Sequence, residues 1–178
     1  MRYPQIERGV APEIRNAVNQ TIAAHARKHA CAGPGDQQFT AAVTRSDATV
    51  LSMKYEAMWM CPSMPAPQSN DGGLTFDLGT GRRVQLDEEL ADPARRDALD
   101  RRVVRDAMAA VSRKLGPGAT ECPEPVRTSE FYVTHSGVVF VGMFPAHVDA
   151  ACAVEVSIPL GDLRSLLRSG SVLAGKAR

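Results

Sequence analysis

The 178 residues are 44% hydrophobic and 23% charged, a mixture that excludes disordered and fibrous chains and suits one globular domain over 1–178. A balance of 21 basic against 20 acidic residues leaves a formal charge of +1, which argues against nucleic acid as a partner, because a polyanion asks for a net basic surface. Aromatics at 5% leave little for base stacking, and no apolar run approaches the roughly 18 residues of a membrane span.

The spacing predicts a helix over 11–30, since Pro12 suits a first turn and Ile14, Val18, Ile22 and Ala26 recur every four residues. CAGPG ends it. Strands are expected over 39–45 and 49–60, separated by the turn residues RSDA. Tyr55 and Trp59 lie on one side of the second strand, as core residues or, if exposed, as anchors for another protein. The prolines and glycines of CPSMPAPQSNDGG predict a loop over 61–73. Leu74, Phe76 and Leu78 then share one face of a strand, Gly79-Thr80-Gly81 reverses the chain, and Val84 and Leu86 resume the alternation. That pattern predicts a hairpin, with Asp87, Glu88 and Glu89 as a charge run beyond it.

Asp92 caps a second helix that has Pro93 at its first position, one stripe of Leu99, Val103, Ala107, Val111 and Leu115, and a stop at Gly116-Pro117. Arg95, Arg96, Arg101, Arg102, Arg105, Arg113 and Lys114 fall on its polar, solvated side. A further hairpin is expected from 130–133 and 138–144, joined across THSG. A last strand over 153–159 and a short helix over 161–167 close the chain. Two main helices beside mostly antiparallel hairpins make an α+β domain.

Chemistry is harder to find. His135 and Ser136 are neighbours on a tight turn, where their side chains would not readily meet. His25 and His29 share a helix face, but without an HExxH pattern they read as structural or solvent-facing. No nucleophile, base and orienting group assemble, so no catalytic residue, cofactor or metal is expected, and the chain reads as a protein other than an enzyme.

The four cysteines, Cys31, Cys61, Cys122 and Cys152, form no CxxC pair and fit two disulfides better than zinc; four free buried thiols are the alternative. Of three pairings, Cys31–Cys61 with Cys122–Cys152 is favoured, because Cys31 follows the first helix and Cys61 ends a strand. Disulfides ask for an exported chain, whereas MRYPQIERGV has no apolar leader; a mature fragment started at Met1 reconciles the two.

FYVTHSGVVFVGMFPAHVDAACAVEVSIPLGDL resembles the C-terminal half of the RsiV-like extracytoplasmic domain, with Phe131, Thr134, Gly137, Phe140, Val156, Ile158 and Pro159 meeting the family pattern. Phe144 stands where the family usually has tyrosine, and Cys152 where it usually has glycine. Phe76, Asp77, Leu78, Thr80, Gly81, Leu86, Asp87 and Leu90 resemble the family's F-D turn and acidic end, and Asn19 its first helix. The loop from Cys61 to Pro67 departs from the family's glycine-alanine-histidine element.

The resemblance implies a periplasmic or secreted module, of a family in which one kind binds lysozyme. It leads to the expectation of a non-catalytic envelope protein that inhibits or senses a cell-wall-degrading enzyme, lysozyme-like or a periplasm-targeted toxin met by its immunity protein. A small secreted hydrolase and a structural envelope module are the alternatives. Contacts are expected from loop 62–71, the turns Gly79–Gly81 and His135–Gly137, and the segment Phe144–Asp149, where His147 and Asp149 are candidate recognition groups. A positively charged target would want Asp71, Asp87, Glu88, Glu89 and Asp149; the basic helix 95–114 would favour an acidic toxin.

Overall fold

In the computed structural model, which describes residues 3–31, 33–116, 122–125, 130–144 and 150–174, the first periodic stretch forms α1 (Pro12–Lys28). Glu13 in its first turn and Arg27 and Lys28 in its last complement the helix dipole. Its stripe of Val18, Ile22 and Ala26 is fully buried against a three-stranded antiparallel meander of β1 (Asp36–Ser46), β2 (Val50–Met60) and β3 (Gln68–Asp77). Phe39, Met53, Tyr55, Leu74 and Phe76 fill the space between helix and sheet. The β1–β2 turn is fixed by Asp47, whose carboxylate accepts from the backbone N–H groups of Thr49 at 2.8 Å and Val50 at 2.9 Å.

The stretch 61–73 divides differently from its sequence pattern. It is irregular only as far as Pro67, and Gln68 to Gly73 belong to β3, paired with Trp59 to Lys54 of β2. The long, apolar β2 supplies a hydrogen-bonding edge that overrides local turn propensity. The hairpin expected after Gly81 shrinks to a single bridge between Phe76 and Arg83. Asp77 holds the reversal, accepting from Gly79 N and Thr80 Oγ1 at 2.8 Å each. Leu86 then starts the helical turn α2 (Leu86–Glu89) and buries its side chain in the second core.

Asp92 caps α3 (Pro93–Leu115) by accepting from Arg95 N at 2.9 Å, and Gly116 ends it at φ 58°. Leu99, Val103 and Ala107 pack on a second antiparallel meander, β4 (Phe131–Val133), β5 (Gly137–Phe140) and β6 (Val156–Pro159). The last strand is shorter than its alternation suggested. The closing helix α4 spans only Leu160–Leu163, and Leu167 instead bridges to Leu90. Arg96 is a correction too: it is 4% exposed and tied to Asp87 and Asp100 at 2.9 Å each.

The sheets meet where Val133 N donates to Ser52 Oγ at 2.7 Å and Thr44 Oγ1 donates to Val133 O at 2.8 Å. Four helices and two three-stranded antiparallel sheets among the described residues form a single α+β domain. Disulfides join Cys31 to Cys61 and Cys122 to Cys152, the pairing favoured from the sequence, with Cα atoms 5.5 and 5.7 Å apart. Two such bridges suggest an oxidising, non-cytoplasmic setting. Among the described residues no helix is long and apolar enough to cross a membrane.

Candidate functional site

Beneath α1, His25 and His29 lie one turn apart and meet Tyr55 and Trp59 of β2. The His25 ring stands edge-on to Tyr55 at 4.6 Å, and the His29 ring lies 5.1 Å from both His25 and Trp59. Burial lowers the His25 pKa to about 4, and the charges of Arg83 and Lys28 and the neighbouring His29 push the same way. Burial lowers His29 as well, against the opposing pull of Glu130. The Nε2 atoms of both histidines are buried without a hydrogen-bond partner. The Tyr55 hydroxyl accepts from Asn70 Nδ2 at 3.1 Å, and burial raises its pKa.

Arg83 and Glu130 close this group on the side of the second sheet. Arg83 Nη2 donates to Gly73 O at 3.2 Å and pairs with the Glu130 carboxylate at 3.4 Å. These contacts hold the end of the first meander to the start of the second.

On the opposite face of the first sheet, Lys54 pairs with Glu56 and Glu155 at 3.1 Å each. Burial works against the Lys54 charge, but the two carboxylates raise its pKa overall. Tyr132 donates its hydroxyl to Glu155 at 2.8 Å, and its pKa is raised to about 12, first by burial and then by that carboxylate. Asp71 stands directly across from Glu56, and its pKa is raised by burial and then by the Glu56 charge.

The expected contact residues sit on different elements and differ in exposure. Tyr55 is 1% exposed and Glu89 5% exposed, so neither is available to a partner. Tyr55 fills the first core, and Glu89 accepts from Ser171 Oγ at 2.5 Å, Val172 N at 2.9 Å and Arg168 Nη2 at 2.9 Å. Trp59 and Phe144 are half-buried against the two cores. Asp71, Glu88 and His135 are exposed, as is Asp87 despite its bond to Arg96. At the THSG turn Ser136 Oγ lies 3.1 Å from Thr134 Oγ1, so its hydroxyl is held by a threonine rather than a histidine base. His147 and Asp149 lie outside the described residues.

Glu56, Met58 and Met60 carry no motif of their own in the sequence. The alternation that puts Tyr55 and Trp59 inward puts these three outward, so the signal was the period of two itself. Shallow clefts open between some of the described residues. One of about 150 Å³ lies between Arg8–Val10 and Ser46–Ala48; another of about 240 Å³ is lined by Asp106, Arg113 and Glu155. Among the described residues no group of three or more His, Cys, Asp or Glu is arranged to hold a metal ion.

No family model matches the chain, and no curated protein matches it. Solved structures do. A DUF3298 family protein of Pseudomonas aeruginosa PAO1 is similar over 90% of this chain and 82% of its own, at 14% identity and a TM-score of 0.64. A DUF3298 family member of Bacteroides fragilis NCTC 9343 is similar over 90% of this chain and 66% of its own, at 17% identity and a TM-score of 0.59. At such identities the likeness is one of fold, and that fold is consistent with an RsiV-like domain.

Proposed function

We propose that this protein is a non-catalytic periplasmic module that binds a cell-wall-degrading enzyme and inhibits or senses it. The observation that carries the reading is how the polar groups are used. His25 and His29 pack among rings, Arg83 and Glu130 join the sheets, and Glu89 anchors the C-terminal turn. Charged groups so engaged support a rigid scaffold for recognition. The paired disulfides support an exported setting, and the RsiV-like resemblance supplies the class of partner.

The test is a panel of purified c-type, g-type and i-type lysozymes and lytic transglycosylases, measured for binding by surface plasmon resonance and for clearing of a cell-wall suspension. At least one member is expected to bind at micromolar or tighter affinity, with wall cleavage falling in proportion if the role is inhibition. Binding by none, together with wall hydrolysis by the protein itself, would replace this reading with that of a small hydrolase.

A further inference from the structure

Cross-strand pairing puts Glu56, Met58 and Met60 of β2 on one face, with Thr40, Gln38 and Asp36 of β1 directly opposite them. On the other flank, Glu56 faces Asp71 of β3 and Met58 faces Ser69. All eight positions are exposed, although the reverse of the same strands is packed with core. At the other end of the sheet, the contacts of Ser52 and Thr44 with Val133 cover this face, so only the half beyond Lys54 lies open.

Met58 is 51% exposed and Met60 41%, two of the three large hydrophobic side chains that are exposed among the described residues. Neighbouring methionines offer an adaptable apolar contact at the centre of the open area. Its borders are acidic. Glu56 and Glu155 bond Lys54, Asp71 faces Glu56, and Asp36 stands opposite Met60. A second copy of the chain laid on this face would bring two acidic rims together, and the sign of the field repels nucleic acid. A basic protein surface fits it.

We propose that this open half-face, centred on Met58 and bordered by Glu56 and Asp71, is where the protein docks the basic surface of its enzyme partner. This rests on the binding function proposed above and gives it a location and a charge. Methionines fill the desolvated centre, and the carboxylates at the rim steer a cationic target and set its orientation.

The experiment uses the intact oxidised protein, each panel enzyme that binds it, and three exposed substitutions: Glu56→Lys, Met58→Lys, and Glu13→Lys on α1 as a control. Circular dichroism melts check that all three fold as the parent does. Glu56→Lys and Met58→Lys are each expected to weaken Kd by about tenfold or more, with Glu13→Lys within about twofold. Glu56→Lys should also flatten the salt dependence of the association rate. Unchanged binding by both face variants would overturn the location and leave the binding function standing. A bound enzyme with an acidic contact surface would overturn the charge assignment. Failure of every panel enzyme to bind the parent protein would remove the binding function, and this surface with it.

Discussion

Gly73 of β3 packs its α-carbon directly on the Phe131 carbonyl, leaving no room for a methyl group between the two sheets. The atoms in the way are backbone, of Phe131 and of Tyr132, so a larger residue cannot be accommodated by turning a side chain. Gly73→Ala is expected to cost about 3 kcal/mol or more. Gly33→Ala, at a position with open space around it, serves as the comparison. Urea unfolding monitored through Trp59 gives both values, and equal midpoints would contradict the close approach.

Acid should weaken the protein through His25. Its folded pKa of about 4 lies below the ordinary 6.5, so the unfolded chain takes up a proton that the fold excludes. This contribution is complete above about pH 6.5, is lost as pH falls towards about 4, and is flat below that. His29, also lowered, adds in the same sense. The loss is about 2–3 kcal/mol for His25 after allowing for solvent screening. Thermal midpoints measured between pH 7 and 4 should decline less steeply in His25→Phe than in the parent protein.

Glu89 is expected to be the most costly carboxylate to truncate. It is buried and receives the Ser171 hydroxyl, the Val172 amide and Arg168. Glu89→Ala leaves those donors unmatched and should cost about 2–4 kcal/mol. Exposed Glu88→Ala should stay within about 0.5 kcal/mol. Guanidinium titrations compare the two, and amide exchange at Val172 reports whether the C-terminal turn has been released.

Each disulfide joins cysteines 30 residues apart, so loss of either should cost about 3–4 kcal/mol on a chain-entropy estimate. Paired serine variants, Cys31→Ser with Cys61→Ser and Cys122→Ser with Cys152→Ser, measure the two separately. Peptide mapping without reductant should recover only these pairs, and a Cys31–Cys122 peptide would contradict the fold.

The local parts of this structure were legible because their causes are local. Asp92-Pro93 and the fourfold spacing from Leu99 to Val111 identify α3, and the residues of the THSG turn identify the β4–β5 hairpin. What escaped depends on partners far along the chain. Nothing near Glu89 announces its burial, because Ser171 lies 82 residues on; nothing near Gln68 announces a strand, because the edge that recruits it is β2. Periodicity places Arg96 on the solvent side of α3, yet carboxylates from α2 and its own helix make burial tolerable. Acidic residues can be counted in a sequence, but which of them share a face, as Glu56 and Asp71 do, is decided by register.

The two disulfides have a bearing on biogenesis. Each bridge joins a cysteine to the next cysteine in the chain, and neither loop encloses or crosses the other. A polypeptide threading out of a translocation pore from its N-terminus would present Cys31 and Cys61 before Cys122 appears, and the β1–β2 hairpin lies wholly between them. An oxidase that links thiols in the order in which they emerge therefore produces the native connectivity directly. Nested or crossed bridges, by contrast, would require a thiol to wait for a partner further along the chain.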